Sequence, residues 1–119
     1  MIPGLHLTPI GNNSVLLEPG EGLDPSAPDN YLAELMAFLQ EHHADTLIYD
    51  LKTVPLIDQV YYNWLIRLYR LCLLANIEMI AVNFCSTAAF ALSLSLTESP
   101  PFKCALDVES ARHGIVVLA

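Results

Sequence analysis

Apolar residues along this chain fall alternately into short runs and helical stripes. Leu5–Ile10 and Ser14–Glu18 are brief apolar stretches on either side of Gly11-Asn12-Asn13, a turn signal, and read as a strand pair. Glu21–Pro28 has the composition of a loop. Pro28 or Asp29 then opens a helix with apolar residues at Leu32, Leu35, Met36 and Leu39, running to about His42. Leu47-Ile48-Tyr49 is a continuous apolar run between polar residues, as expected of a strand buried on both faces of a parallel sheet.

The second half repeats this alternation. Lys52–Ile57 is a loop containing Pro55, and Asp58 stands where a helix cap belongs, its carboxylate placed to accept a free backbone N–H. Val60, Tyr61, Trp64, Leu65, Leu68, Cys72 and Ala75 follow at helical spacing, with Tyr61, Trp64, Leu65, Leu68 and Cys72 as the core stripe. Asn76 can take the left-handed stop in place of glycine. Ile77–Val82 reads as a strand, Ser86 or Thr87 as the cap of a helix over Ala88–Leu96, and Pro100-Pro101 as its end. Phe102–Leu106 gives a last strand, and Asp107 starts a short helix toward His113. The order β-β-α-β-α-β-α-β-α predicts one α/β domain over residues 1–119. Its sheet has four to five strands, mainly parallel with right-handed crossovers and an antiparallel N-terminal edge, and carries about four helices.

Composition agrees with a single packed domain. At 119 residues the chain can bury a core without disulfides or metals. Its 54% hydrophobic and 15% charged residues exclude disorder for most of its length. Five Lys and Arg against 13 Asp and Glu give a net charge of −8, too few cations for nucleic acid or an anionic lipid surface as the main partner. Met1–Leu51 holds eight acids and no Lys or Arg, whereas five bases balance five acids from Lys52 onward. Solubility of an apolar domain accounts for such an acidic half, which also suits a basic partner.

Met79–Leu96 has 18 residues without formal charge, about the length of a membrane span. Asn83, Ser86, Thr87, Ser93 and Ser95 interrupt it, Glu78 and Glu98 flank it, and no nearby Lys or Arg orients it. A buried strand followed by a buried helix is the better reading, with no direct membrane insertion. Cys72, Cys85 and Cys104 form no CxxC, and the start lacks a basic leader, so a reduced, cytoplasmic protein is expected.

Catalytic signatures are missing. Gly20-Glu21-Gly22 lacks the third glycine and the helix of a dinucleotide site, and there is no phosphate loop with its lysine, so no cofactor is expected. His42 and His43 point about 100° apart on a helix, unlike an i,i+4 metal pair, and read as a solvated helix end; no metal is expected. Cys85, just before a helix start, is the best candidate nucleophile but has no histidine near it in sequence; Cys72 and Cys104 read as core. The chain is expected not to be an enzyme.

The segment Leu47-Ile48-Tyr49-Asp50-Leu51-Lys52-Thr53-Val54-Pro55-Leu56-Ile57-Asp58-Gln59 carries the functional reading. It resembles the STAS domain of anti-sigma-factor antagonists, whose signature runs strand–Asp–Leu–x–x–Val–x–x–x–Asp–Ser/Thr–helix. Ile77–Val82 with Phe84–Leu92, and Ala105-Leu106-Asp107-Val108-Glu109, are similar to their counterparts in RsbS-type stressosome scaffold proteins. The resemblance spans about residues 14–113 and implies a STAS-like fold. It further implies a signalling role through protein partners: a switch kinase, an anti-sigma factor or a scaffold subunit. In that family the Ser or Thr after the aspartate is phosphorylated, but here the position is Gln59, which takes no phosphoryl group. A relocated phosphorylation site would fall at Ser86 or Thr87, at the start of the next helix.

The helix after Asp58 supplies an independent hint. Gln59, Tyr62, Asn63, Ile66, Arg67, Arg70 and Leu73 lie opposite its core stripe, and Tyr, Ile and Leu beside two arginines make an interface composition. The expected partner-binding residues are Asp58, Gln59, Tyr62, Asn63, Ile66 and Arg67, with a second copy of the chain as another occupant of this face. The rival reading is a STAS-like accessory subunit of a lipid or anion transport complex.

Overall fold

The computed structural model describes residues 2–83 and 100–114. Cys85, Ser86, Thr87 and the expected helix over Ala88–Leu96 lie outside the described residues. Strand β1 (Leu5–Gly11) turns back into β2 (Ser14–Pro19), with Gly11 opposite Ser14. Asn12 and Asn13 form the connecting pair at φ 53° and 58°. Positive φ at both central residues is what a tight hairpin turn matched to strand twist requires, and Asn tolerates it. Pro9, which cannot donate to a ladder, is accommodated because β1 is the sheet edge.

Strands β3 (Thr46–Asp50), β4 (Glu78–Val82) and β5 (Lys103–Ala105) complete a five-stranded sheet in the order β1-β2-β3-β4-β5. All pairings after the first are parallel. Alternation decides which face each residue serves. Val15, Leu17, Leu47, Tyr49, Met79 and Ala81 join one core, while Ile48, Ile80, Val82 and Ala105 join the other. Because both faces are covered, Leu47, Ile48 and Tyr49 are all fully buried, as a continuous apolar run demands.

Helices α1 (Leu32–Glu41) and α2 (Gln59–Leu74) pack on the first face. Leu35 and Leu39 of α1, and Trp64, Leu65, Leu68 and Cys72 of α2, are wholly buried there. Each of the leucines contributes about 1.5–3 kcal/mol by leaving water. Helix α3 (Val108–Arg112) covers the second face through Ala111 and is capped by Asp107, whose Oδ1 accepts the Ser110 N–H at 2.8 Å. Helix α2 stops where Asn76 takes φ 62° and the Ile77 N–H closes on the Cys72 carbonyl at 2.8 Å, a left-handed cap. His43 fills the same role after α1 at φ 51°.

Two expected boundaries move. Pro28–Asn30 forms a separate 3-10 turn and α1 begins only at Leu32, since Tyr31 at φ −120° leaves helical geometry. The last strand is confined to Lys103–Ala105, and Leu106 is 72% exposed. Val60, apolar but outside the core stripe, is 45% exposed. One residue before Tyr61, it is rotated about 100° from the buried stripe.

Candidate protein-binding site

The candidate surface lies where the parallel strands end and α2 begins. Asp50, the last residue of β3, accepts the Lys52 N–H at 2.8 Å and the Asn83 side-chain amide at 3.1 Å through the same Oδ1. The first bond folds the chain sharply out of the strand and the second ties β3 to the end of β4. Asn83, at φ 57°, also donates its N–H to the Leu106 carbonyl at 3.2 Å. Beyond Asp50, Leu51, Val54 and Ile57 are buried and hold the loop down, while Pro55 and Leu56 face outward. Leu56 is 54% exposed, a large apolar side chain presented on an anchored loop.

Asp58 ends this loop as the α2 cap, its Oδ1 accepting the Tyr61 N–H at 2.8 Å. The carboxylate is thereby committed to the helix start, as the sequence pattern required. Gln59 is exposed and donates from its side-chain amide to Asn63 Oδ1 at 2.9 Å, one turn along. No hydroxyl stands at position 59.

The expected contact face divides in two. Tyr62 and Ile66 are half-buried and pack against the core, with the Tyr62 ring 6.4 Å from that of Phe102. Tyr69 meets the same Phe102 ring at 6.5 Å, so this side of α2 serves the fold as well as the surface. Val60, Asn63, Arg67 and Arg70 form the exposed stripe, and of these Val60 and Arg70 were not among the six expected contact residues. Spacings of three, four and three residues place these four side by side, the one signal that could have found them.

That stripe forms one wall of an open groove of about 530 Å³, whose other wall is Pro25, Ser26 and Pro28. Ile66 contributes to the lining, and Trp64 lies buried beneath it. Sequence reasoning missed this wall because only the fold brings the loop before α1 against α2. Tyr31 pins the loop: its hydroxyl accepts the Asp24 N–H at 2.8 Å and donates to the Gly22 carbonyl at 3.3 Å. Its ring meets Trp64 edge-on at 5.7 Å. Across the groove rim, Arg67 Nη2 donates to Asp29 Oδ1 at 2.6 Å, both side chains remaining substantially exposed.

A polar chain runs beneath α2. Trp64 Nε1–H donates to the Tyr49 hydroxyl at 2.8 Å, and the Tyr49 and Tyr61 hydroxyls share a 2.7 Å bond. Burial drives the Tyr49 phenol well above its ordinary pKa and pushes Tyr61 up to about 12, so both stay neutral and hydrogen-bonded. Burial also pushes the Cys72 thiol up to about 12 and that of Cys104 to about 11. Neither supplies a thiolate at neutral pH. Among the described residues no group of three His, Cys, Asp or Glu side chains could hold a metal. His113 is engaged with Glu109 at 3.0 Å, and His42 lies against the Phe38 ring. Among the described residues no helix is long and apolar enough to cross a membrane.

No family model matches the sequence, and no curated protein does. Solved structures do match the fold. A variant of RsbS from Moorella thermoacetica superposes with a TM-score of 0.77 at 15% identity, covering 92% of this chain and 94% of that one. A chain of the stressosome, titled a signal integration and transduction hub, gives a TM-score of 0.77 at 14% identity over 92% of this chain and 95% of the other. The protein TM1081, determined by NMR, gives 0.76 at 15% identity over 97% and 88%. The fold is therefore that of the STAS domain, as the motif order implied.

Proposed function

We propose that this chain is a non-catalytic protein-binding module in partner-switching signalling, of the anti-sigma-factor-antagonist or stressosome-scaffold type. The observation that carries this reading is the anchored loop and exposed α2 stripe, from Leu56 through Asp58, Gln59 and Asn63 to Arg67, in a fold shared with RsbS. The surface mixes exposed apolar, amide and guanidinium groups on a rigid base, a composition suited to a protein contact. Tyr62 and Ile66 contribute from the side of the face that is half-buried. A phosphate after Asp58 would add about −1.5 to −2 charges at this contact. Gln59 forbids it, so the turn stays permanently in its unmodified, binding-competent form.

Co-expression of the full chain with any switch kinase or sigma-regulator found among its neighbouring genes, followed by size-exclusion chromatography, tests the assignment. Co-elution with one of them, lost in the folded Arg67→Glu variant, is the expected result. Recovery of a membrane transport complex instead, or retention of the partner by Arg67→Glu, refutes it.

A further inference from the structure

We infer that the groove between the Pro25–Pro28 loop and α2 accepts a short, extended acidic segment of a protein partner. This rests on the reading of α2 as the contact surface and adds the chemistry of what it contacts. The chain has five Lys and Arg in all, against 13 acids, yet two of the five, Arg67 and Arg70, line this one groove. Arg67 already holds a carboxylate, that of Asp29 on the opposite rim, at 2.6 Å. The Asp29 side chain is 84% exposed, so an incoming carboxylate can displace it without unpacking the core. The chain's own acid thus marks the anion position. Arg70, one turn further along, pairs with no acid among the described residues and offers a second position.

The remaining lining sets the rest of the ligand. From Val60 to Arg70 the stripe rises about 15 Å along the helix axis, a span covered by about five extended residues. Alternate residues of such a segment point the same way, so positions one, three and five face α2. An apolar residue at one end meets Val60, and carboxylates at the third and fifth positions reach Arg67 and Arg70. Arginine suits this because its planar fork can grip a carboxylate through two N–H groups.

The test titrates the full-length ¹⁵N-labelled chain with a blocked peptide containing Leu-Ser-Glu-Ser-Glu between Gly-Ser flanks. Its counterpart, with lysine replacing both glutamates, is titrated in parallel. Saturable shifts at the Trp64 indole and the Asn63 and Arg67 amides are expected with the acidic peptide, which binds at least tenfold tighter than the lysine form. Arg70→Ala weakens it at least fivefold, and Asp29→Asn, which removes the competing charge, tightens it severalfold. Equal binding of both peptides, no shifts with either, or indifference to Arg70→Ala and Asp29→Asn overturns the inference. If the acidic peptide fails while Arg67→Glu still releases the natural partner, the contact surface stands and only its acidic specificity falls.

Discussion

Tyr49→Phe removes one oxygen from beneath the groove, and the arrangement around that oxygen fixes the cost. The Tyr49 hydroxyl is the acceptor for Trp64 Nε1–H and the partner of the Tyr61 hydroxyl. Trp64 and Tyr49 have no exposed surface, so water cannot replace the lost acceptor. Orphaning a buried donor costs about 1–3 kcal/mol, whereas losing an ordinary hydrogen bond costs about 0.5–1.5 kcal/mol. Tyr61→Phe leaves the Tyr49 hydroxyl its bond from Trp64 but takes the acceptor of its own O–H, and because Tyr61 itself is half-buried the cost falls between the two classes. With a urea m-value of roughly 1–3 kcal/mol/M, a 2 kcal/mol loss lowers the unfolding midpoint by about 1 M. The double variant should cost less than the two singles summed, by about the 0.5–1.5 kcal/mol of the bond they share. Circular dichroism and the fluorescence of Trp64, the sole tryptophan, both report the transition. Tyr49→Phe no more costly than Tyr61→Phe, or strict additivity, would refute the description of this chain.

Three further outcomes follow from named contacts. Asp58→Ala removes the α2 cap and should cost about 0.5–2 kcal/mol in urea unfolding, with Asp58→Asn recovering most of it. The Asp29–Arg67 pair is exposed, so Arg67→Glu should lower stability by no more than about 1 kcal/mol, with recovery in the swapped Asp29→Arg/Arg67→Asp protein; a larger loss would mean that Arg67 supports the fold and not the surface. Two of the five tyrosines, Tyr49 and Tyr61, have folded pKa values raised above the ordinary 10. Their contribution is fully present below pH 10 and is lost as pH rises toward 12 and beyond. Absorbance titration near 295 nm should therefore show two phenols resisting ionisation until the chain unfolds.

Much of the fold was legible because its signals are local. Asn12-Asn13 fixes a tight turn by its tolerance of positive φ, Asp58 and Asp107 cap helices with their own carboxylates, and Asn76 ends one in the left-handed region. The unbroken run Leu47-Ile48-Tyr49 announced a strand covered on both faces. Motif order then pointed to the STAS fold that the solved structures share. Local rules failed where two distant segments compete for one residue. Tyr62 and Ile66 looked solvent-facing on a helical wheel, yet both pack against the core, where Phe102, just before the last strand, meets Tyr62.

By itself the sequence determined the turns, caps, and strand and helix order of the described residues, and the absence of a hydroxyl after Asp58. Only the tertiary structure decided that Asp29 reaches Arg67 from 38 residues away, and that Tyr49, Tyr61 and Trp64 share one buried polar chain. The groove between the Pro25–Pro28 loop and α2 also exists only in the folded chain. The physical reason is range: caps and turns are settled by hydrogen bonds a few residues apart. A binding surface is settled by which elements the sheet brings side by side.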